Sequence, residues 1–434
     1  MARQKQTKQD QTIFQHFAPS LAEDWPRLPV THAEGLYLYT EDGRKIMDFI
    51  SGIAVTNVGH NHPKVVAAAR AQMEKLVHNP VGIVFSEPVL QLSEALPNVM
   101  PGGLDMFFFG NSGAEAVEGS LKMARYVTER PVVIAFKGSF HGRSYGAASV
   151  TSVKSKYRKQ YEPFVPGVYF AEYPYSYRCP LGDSDEIVTA WSLDSINEIF
   201  RHYADPSQVA AILVEPVQGE GGYIVPPADF LPELREICDA HGILLLLDEV
   251  QTGFGRTGEM FAAKVFDVQP DILAAAKGIA NGFPLGVTAA RSELMSRWLA
   301  GSHGTTFGGS PISCAAALAV QEVIREENLL ENARMMGKVL LEGFRTLQKK
   351  YDRIGDVRGL GLMVAMELII PGSEKTPDGK AAAQVLEGCL ERGMLGYMAG
   401  HDGQVVRLMP PLNITRAQAE QALEILDASL EAVK

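Results

Sequence analysis

The sequence predicts an α/β protein, with a large domain built on a mainly parallel sheet and a smaller α+β domain beside it. Three observations carry this. At 434 residues the chain is too long for one ordinary hydrophobic core. Short apolar runs at residues 106–109, 132–136, 210–214 and 243–247 alternate with helix-period segments, the pattern of strands covered on both faces. Both ends of the chain have a different, mixed texture.

The elements follow in order. Residues 36–39 and 46–49 read as strands around Glu41-Asp42-Gly43, a hairpin signal. From His62 the helical periods begin, first over residues 63–77. The four apolar runs then alternate with helices until Ser310, where a long helical stretch starts. Residues 359–368 and 405–408 read as further strands, and residues 414–430 as a closing amphipathic helix. The expected division is an N-terminal segment, 1–61, belonging to the small domain, a large domain over 62–320, and a C-terminal small domain over 321–434. The sequence has no repeat, no Ser/Gly linker and no long run of like charge.

Composition excludes several classes. Hydrophobic residues make up 46% and charged residues 21%, ordinary for a soluble chain. The net charge of −11, with no basic block, argues against a nucleic-acid partner. No apolar run approaches the roughly 20 residues of a spanning helix, so no membrane association is expected. The N-terminus lacks the apolar core of a secretory signal; Arg3, Lys5 and Lys8 are basic, but Asp10 follows early and no amphipathic Arg pattern develops. Cys179, Cys238, Cys314 and Cys389 lie far apart and read as reduced, mostly buried thiols. The cytoplasm is the expected location.

Three motifs carry chemistry. In Phe108-Phe109-Gly110-Asn111-Ser112-Gly113-Ala114-Glu115-Ala116 an apolar strand turns into a helix start, whose free N–H groups and Ser112 hydroxyl form an anion site. Taken alone, Ser112 with Glu115 is equally a capping box. The motif also approaches the Gly-x-Ser-x-Gly elbow of serine hydrolases, but Ala114 stands where the last glycine belongs. In Leu247-Asp248-Glu249-Val250-Gln251-Thr252-Gly253-Phe254-Gly255-Arg256-Thr257-Gly258 an apolar strand ends in a carboxylate, placed to hold a heteroaromatic cation or simply to face water. In Ala274-Ala275-Ala276-Lys277-Gly278 a lysine closes an apolar run; partial desolvation lowers a lysine's pKa, as a Schiff-base nucleophile needs. A phosphate cup, a carboxylate for a pyridinium nitrogen and such a lysine are together the three handles of pyridoxal 5′-phosphate (PLP).

With these motifs in this order, the chain resembles the class III aminotransferases, fold type I PLP enzymes that include 4-aminobutyrate, ornithine and acetylornithine aminotransferases. The resemblance runs from Gly52-Ile53-Ala54-Val55 to Arg407. It implies that Lys277 holds the cofactor as a Schiff base and shuttles the proton, while Asp248 pairs with the ring nitrogen. It assigns the phosphate to Ser112, Gly113 and Ala114, the two ring faces to Phe140 and Val250, and the ring oxygen to Gln251. His141 and Glu215 complete the cofactor residues. Thr306, in Gly304-Thr305-Thr306-Phe307, looks like the family's threonine that reaches the partner's phosphate across a homodimer interface, within a dimer or a tetramer; here Thr-Thr-Phe stands where Gly-Thr-Tyr is frequent. For substrate, the resemblance implies Ile53, Arg143 for a distal carboxylate, and a Glu220–Arg407 ion pair that opens to admit an α-carboxylate.

The implied function is transfer of an amino group from an ω-amino acid or amine, 4-aminobutyrate-like, to 2-oxoglutarate or pyruvate by a ping-pong mechanism. The alternatives within the fold are an (S)-amine:pyruvate transaminase, an acetylornithine or ornithine aminotransferase, and a decarboxylase or aminomutase. Outside it stand a serine hydrolase, disfavoured by Ala114, and a non-catalytic PLP-binding protein, disfavoured because Lys277 and Asp248 are both present. No metal is expected: His60 and His62 lack a third ligand and read as a capped turn at Pro63. Asn413-Ile414-Thr415 is a chance glycosylation sequon, and Met335-Met336 reads as core.

Overall fold

A computed structural model describes residues 28–433 together with residues 16, 18 and 20; the N-terminal targeting signals weighed above fall on residues 1–15, outside that range. The described chain opens with an antiparallel meander of β1 (Val30–Glu34), β2 (Tyr37–Thr40) and β3 (Lys45–Asp48). Glu41-Asp42-Gly43 makes the β2–β3 turn, with Gly43 at φ +82°.

The central sheet contains β4 (Met106–Gly110), β5 (Val132–Phe136), β6 (Val168–Ala171), β7 (Val209–Val214), β8 (Leu244–Asp248), β9 (Ile272–Ala275) and β10 (Gly286–Ala290), in the order β4-β10-β9-β8-β7-β5-β6. Every neighbouring pair from β9 to β6 is parallel, and β10 runs antiparallel to both β9 and β4. Alternation along the strands serves two cores. Ile134, Phe136, Ile212, Val214, Leu245 and Leu247 pack with helices Asp185–His202 and Phe230–His241. Val133, Ala135, Ala211, Leu213 and Leu246 pack with helix Gly113–Thr128 on the opposite face. With both faces covered, the strands show no polar alternation, which is why they read as plain apolar runs.

The C-terminal sheet contains β11 (Ile354–Leu360) and β12 (Met363–Leu368), then β14 (Tyr397–Ala399) and β15 (Val405–Leu408), ordered β11-β12-β15-β14 and antiparallel throughout. Between them β13 (Met394–Leu395) pairs in parallel with β3, so the N-terminal meander is closed by a strand from the far end of the chain. The sequence reading of one strand over 359–368 is corrected here. The segment is part of a hairpin that reverses at Gly361, φ +55°, and the turn was hidden because β12 is buried on both faces and apolar up to the bend. The long stretch after Ser310 is two helices, Pro311–Glu326 and Leu329–Lys350, broken at Asn328, φ +52°. The closing helix, Arg416–Glu431, starts from a full capping box between Thr415 and Gln418.

Four smaller readings are settled by packing. All four cysteines are buried and free. Met336 is core, but Met335, on the next position of the same helix, is exposed. His62 is the N-cap of helix Pro63–Lys75, as expected of a capped turn at Pro63, but neither histidine ring makes a cap bond: His60 pairs with Asp48 at 2.7 Å and His62 with Glu327 at 2.9 Å. Asn413 donates its amide to Val58 O. Among the described residues no helix is long and apolar enough to cross a membrane, and no cluster of His, Cys, Asp or Glu could hold a metal.

Candidate active site

The carboxyl ends of the central strands deliver most of the singled-out residues to one place, where open α/β sheets bind ligands. Beyond β4, Ser112 is the N-cap of helix Gly113–Thr128, and its Oγ accepts from Glu115 N at 3.2 Å. The Glu115 carboxylate accepts from Asn111 N, so the turn is braced on both sides. The Gly113 and Ala114 N–H groups lie in the first helical turn, where no intrahelical acceptor exists. A Cβ on Gly113 would fall 2.6 Å from Val250 Cγ1, so only glycine lets the loop after β8 pack against this helix start.

Asp248 ends β8 and is buried. Its Oδ2 accepts from His141 Nδ1 at 2.7 Å and its Oδ1 from Val250 N at 3.0 Å. His141 is fixed in turn by Thr151, whose Oγ1 accepts from His141 N at 2.9 Å. Beyond β7, Glu215 bridges two loops, accepting from Phe140 N at 2.9 Å and Gly219 N at 2.8 Å. Burial pushes its carboxyl up to about 7, with nearby Asp248 adding to the rise and His141 opposing it. Lys277 follows β9 in a left-handed conformation, φ +48°, that a side chain rarely adopts. Burial lowers its ammonium below the usual lysine value, against the pull of Glu220 and Asp248. Among the described residues Lys277 makes no hydrogen bond or ion pair.

Across the cleft, Arg407 of β15 is fully buried. It pairs with Glu220 and donates to Gly219 O at 2.9 Å, its guanidinium lying 5.1 Å from the Tyr223 ring and 4.8 Å from the Tyr397 ring. Burial alone would push the Glu220 carboxyl up, but the Arg407 charge overrides it and holds Glu220 below the usual range. Arg143 is exposed and stacks on Tyr157 at 4.2 Å, with Phe140 at 5.9 Å. Ile53 lies on a turn whose residues Ser51 to Ala54 all have positive φ; Ser51 Oγ anchors it to Met409 O, two residues past Arg407. Thr306 stands exposed outside this cluster, while Thr305 Oγ1 accepts from Gly308 N at 3.1 Å and Asn111 Nδ2 at 3.3 Å. Tyr157, Tyr223 and Tyr397 were not anticipated: no motif marks them, and only the fold sets them around the two arginines. The groove of about 860 Å³ beside Trp191 and Ile237 contains none of these groups.

A mainly parallel sheet ending in an anion cup, a buried carboxylate and a desolvated lysine defines a fold type I PLP enzyme. More specifically, the chain belongs to the class-III aminotransferases: the Aminotransferase class-III family model matches residues 20–430. It is a transaminase that moves an amino group from an amino donor to a 2-oxo acid. Its relatives include the 4-aminobutyrate aminotransferase GabT of Escherichia coli, 41% identical over 93% of each chain, and the 5-aminovalerate aminotransferase DavT of Pseudomonas putida, 41% identical over 89% of each. A solved PLP-bound amine transaminase from an uncultivated Pseudomonas species superimposes with a TM-score of 0.88 at 32% identity, covering 96% of this chain and 98% of that one.

The residues present fit PLP. Buried polar atoms without partners among the described residues, His141 Nε2 and Gln251 Oε1, stand beside the same strand ends, where a polar ring would satisfy them. The donor set also matches, with N–H groups for a phosphate, a carboxylate for a ring nitrogen and an amine for an aldehyde carbon.

Proposed function

We propose that this transaminase takes ω-amino acids of the 4-aminobutyrate type as donors and 2-oxoglutarate or pyruvate as acceptors. The cofactor, when bound, supplies an electron sink for the bond broken at the donor carbon. Lys277 Nζ would hold it and would carry the proton released from the donor carbon. Asp248, oriented by His141, keeps the ring nitrogen protonated; Ser112, Gly113 and Ala114 bind the phosphate. Phe140 and Val250 enclose the ring, Gln251 bonds its oxygen, and Glu215 braces the loop carrying Phe140.

The substrate reading rests on one contrast. Arg407 is neutralised by Glu220, whereas Arg143 has no carboxylate partner among the described residues. A paired Arg407 suits a donor without an α-carboxylate, and an open Arg143, with Ile53 lining the approach, suits a distal one. When Glu220 swings aside, Arg407 binds the α-carboxylate of glutamate or alanine.

A homodimer, alone or within a tetramer, belongs to this reading, with Thr306 completing the partner's phosphate site. Ile83, Phe85 and Phe307 support it as large apolar side chains left exposed, 81%, 67% and 64%. Thr306 is the choice over Thr305 because Thr305 is already committed within its own chain. The cytoplasm is proposed from the four unpaired, buried thiols. The division at residues 61 and 320 remains our proposal for the domains.

A donor panel tests the substrate reading. Arg143→Met should weaken kcat/KM with 4-aminobutyrate by roughly 2–4 kcal/mol in barrier and leave 1-phenylethylamine little changed. Arg407→Ala should do the reverse, hurting alanine and glutamate most. If Arg143→Met lowers every donor equally, Arg143 is structural and the amine:pyruvate reading takes its place.

A further inference from the structure

Arg407 is not the only arginine gripping the turn that carries Glu220. In the C-terminal sheet Arg358 of β11 faces Ala365 of β12, and Ala365 faces Arg407 of β15. Residues directly opposite on neighbouring strands share a face, so the two arginines stand on the same side of the sheet with one small side chain between them. Both reach the same turn. Arg407 donates to Gly219 O at 2.9 Å, and Arg358 Nε donates to Gly222 O at 2.8 Å. Gly400 N adds a third anchor, donating to Glu220 O at 3.0 Å.

Arg358 is itself held rigidly. Its NH1 donates to Asp356 Oδ2 at 2.6 Å, and its NH2 lies 3.0 Å from Glu367 Oε2, near enough for an ion pair although angled away from a hydrogen bond. Its guanidinium lies 4.8 Å from the Tyr175 ring. Glu367 is fully buried and is also bonded by Arg178 Nε at 2.6 Å and by the Tyr175 hydroxyl. A charge network of this kind is costly to bury, and its one arm that leaves the C-terminal sheet for the turn ends on Gly222.

We propose that Arg358 is a positioning residue for the α-carboxylate half of the reaction, holding the Gly219–Gly222 turn in place when Arg407 lets go of Glu220. The inference rests on the proposed Glu220–Arg407 exchange. With the pair closed, the turn has anchors from Arg407, Arg358 and Gly400. With Arg407 turned to a substrate carboxylate, Arg358 and Gly400 are the contacts that still tie the turn to the C-terminal sheet, beside the Gly219 bond to Glu215, so losing Arg358 destabilises the open state more than the closed one. A change that acts differently on two states shifts the balance between them.

The test compares half-reactions of the holoenzyme, glutamate against 4-aminobutyrate, in Arg358→Lys. Lysine keeps the charge near Glu367 but lacks the rigid fork that reaches Gly222 O through Nε and Asp356 through NH1 at once. The expected result is a rise in KM for glutamate roughly tenfold greater than the rise for 4-aminobutyrate, with kcat falling by a similar factor for both. Gly222→Ala should reproduce the split, because its Cβ would sit 2.9 Å from Arg358 NH2 at φ +119° and push the turn off its anchor; it decides the matter if Arg358→Lys does not fold. Equal KM changes for the two donors would overturn the proposal. Glu220→Gln separates the two levels. If it leaves the donor ratio unmoved, the exchange itself is wrong; if it moves the ratio and Arg358→Lys does not, only the role of Arg358 fails.

Discussion

Asp248 shows how much a single side chain depends on its surroundings. Its carboxylate accepts from His141 and from Val250 N, two donors that fix its direction. If Asp248 is the proposed counter-charge of the ring nitrogen, Asp248→Asn removes it, and half-reaction rates should fall on the order of 10³-fold, about 4 kcal/mol in barrier. Stopped-flow single turnovers would measure it; near-normal rates would mean that another group keeps the ring protonated. Lys277, Asp248 and Ser112 were legible in the sequence because each stands at, or two residues past, the end of an apolar strand with a residue type that a strand end does not require. Tyr157, Tyr223, Tyr397 and Arg358 were not. Their places come from contacts between distant segments, 136 residues apart for the Arg358 bond to Gly222 and 186 for the Tyr223 bond to Met409, which no local pattern encodes.

At the scale of elements, buried strands were easy to find and turns between buried strands were not. The loop after β8 illustrates what holds such a region. Glu249, fully buried, accepts from Ala262 N at 2.9 Å, from Ala263 N at 2.7 Å and from the Thr252 hydroxyl. Those bonds favour its charged form, yet burial outweighs them and raises its carboxyl from 4.5 to about 7. The folded protein therefore keeps a proton that the unfolded chain releases. The associated stability is complete below about 4.5 and is lost as pH rises to about 7. Across that window Glu249→Gln should show a flatter dependence of Tm on pH than the parent, with the two curves running parallel above pH 8. Identical slopes from pH 5 to 7 would show that Glu249 is ionised throughout. The left-handed turn from Ser51 to Ala54 was equally invisible, since its backbone is imposed by Asp48, which accepts from Ile50 N and Ser51 N at 2.9 Å, and by the anchor on Met409.

Across the whole molecule, the proposed function draws its chemistry and its selectivity from different sheets. The central sheet supplies Lys277, Asp248 and the anion cup, while the C-terminal sheet supplies Arg407 and, through Arg358, a grip on the Glu220 turn. The alternation of apolar strands and helices announced the first sheet, whereas the β3–β13 pairing that ties the chain's two ends together has no local signature. Tracing nitrogen through the reaction tests the central claim most directly. Holoenzyme supplied with nitrogen-labelled 4-aminobutyrate and 2-oxoglutarate or pyruvate should yield labelled glutamate or alanine, and Lys277→Ala should lose this transfer by orders of magnitude while still binding PLP. Label that stays on 4-aminobutyrate in the parent, or passes equally well in Lys277→Ala, would contradict the account.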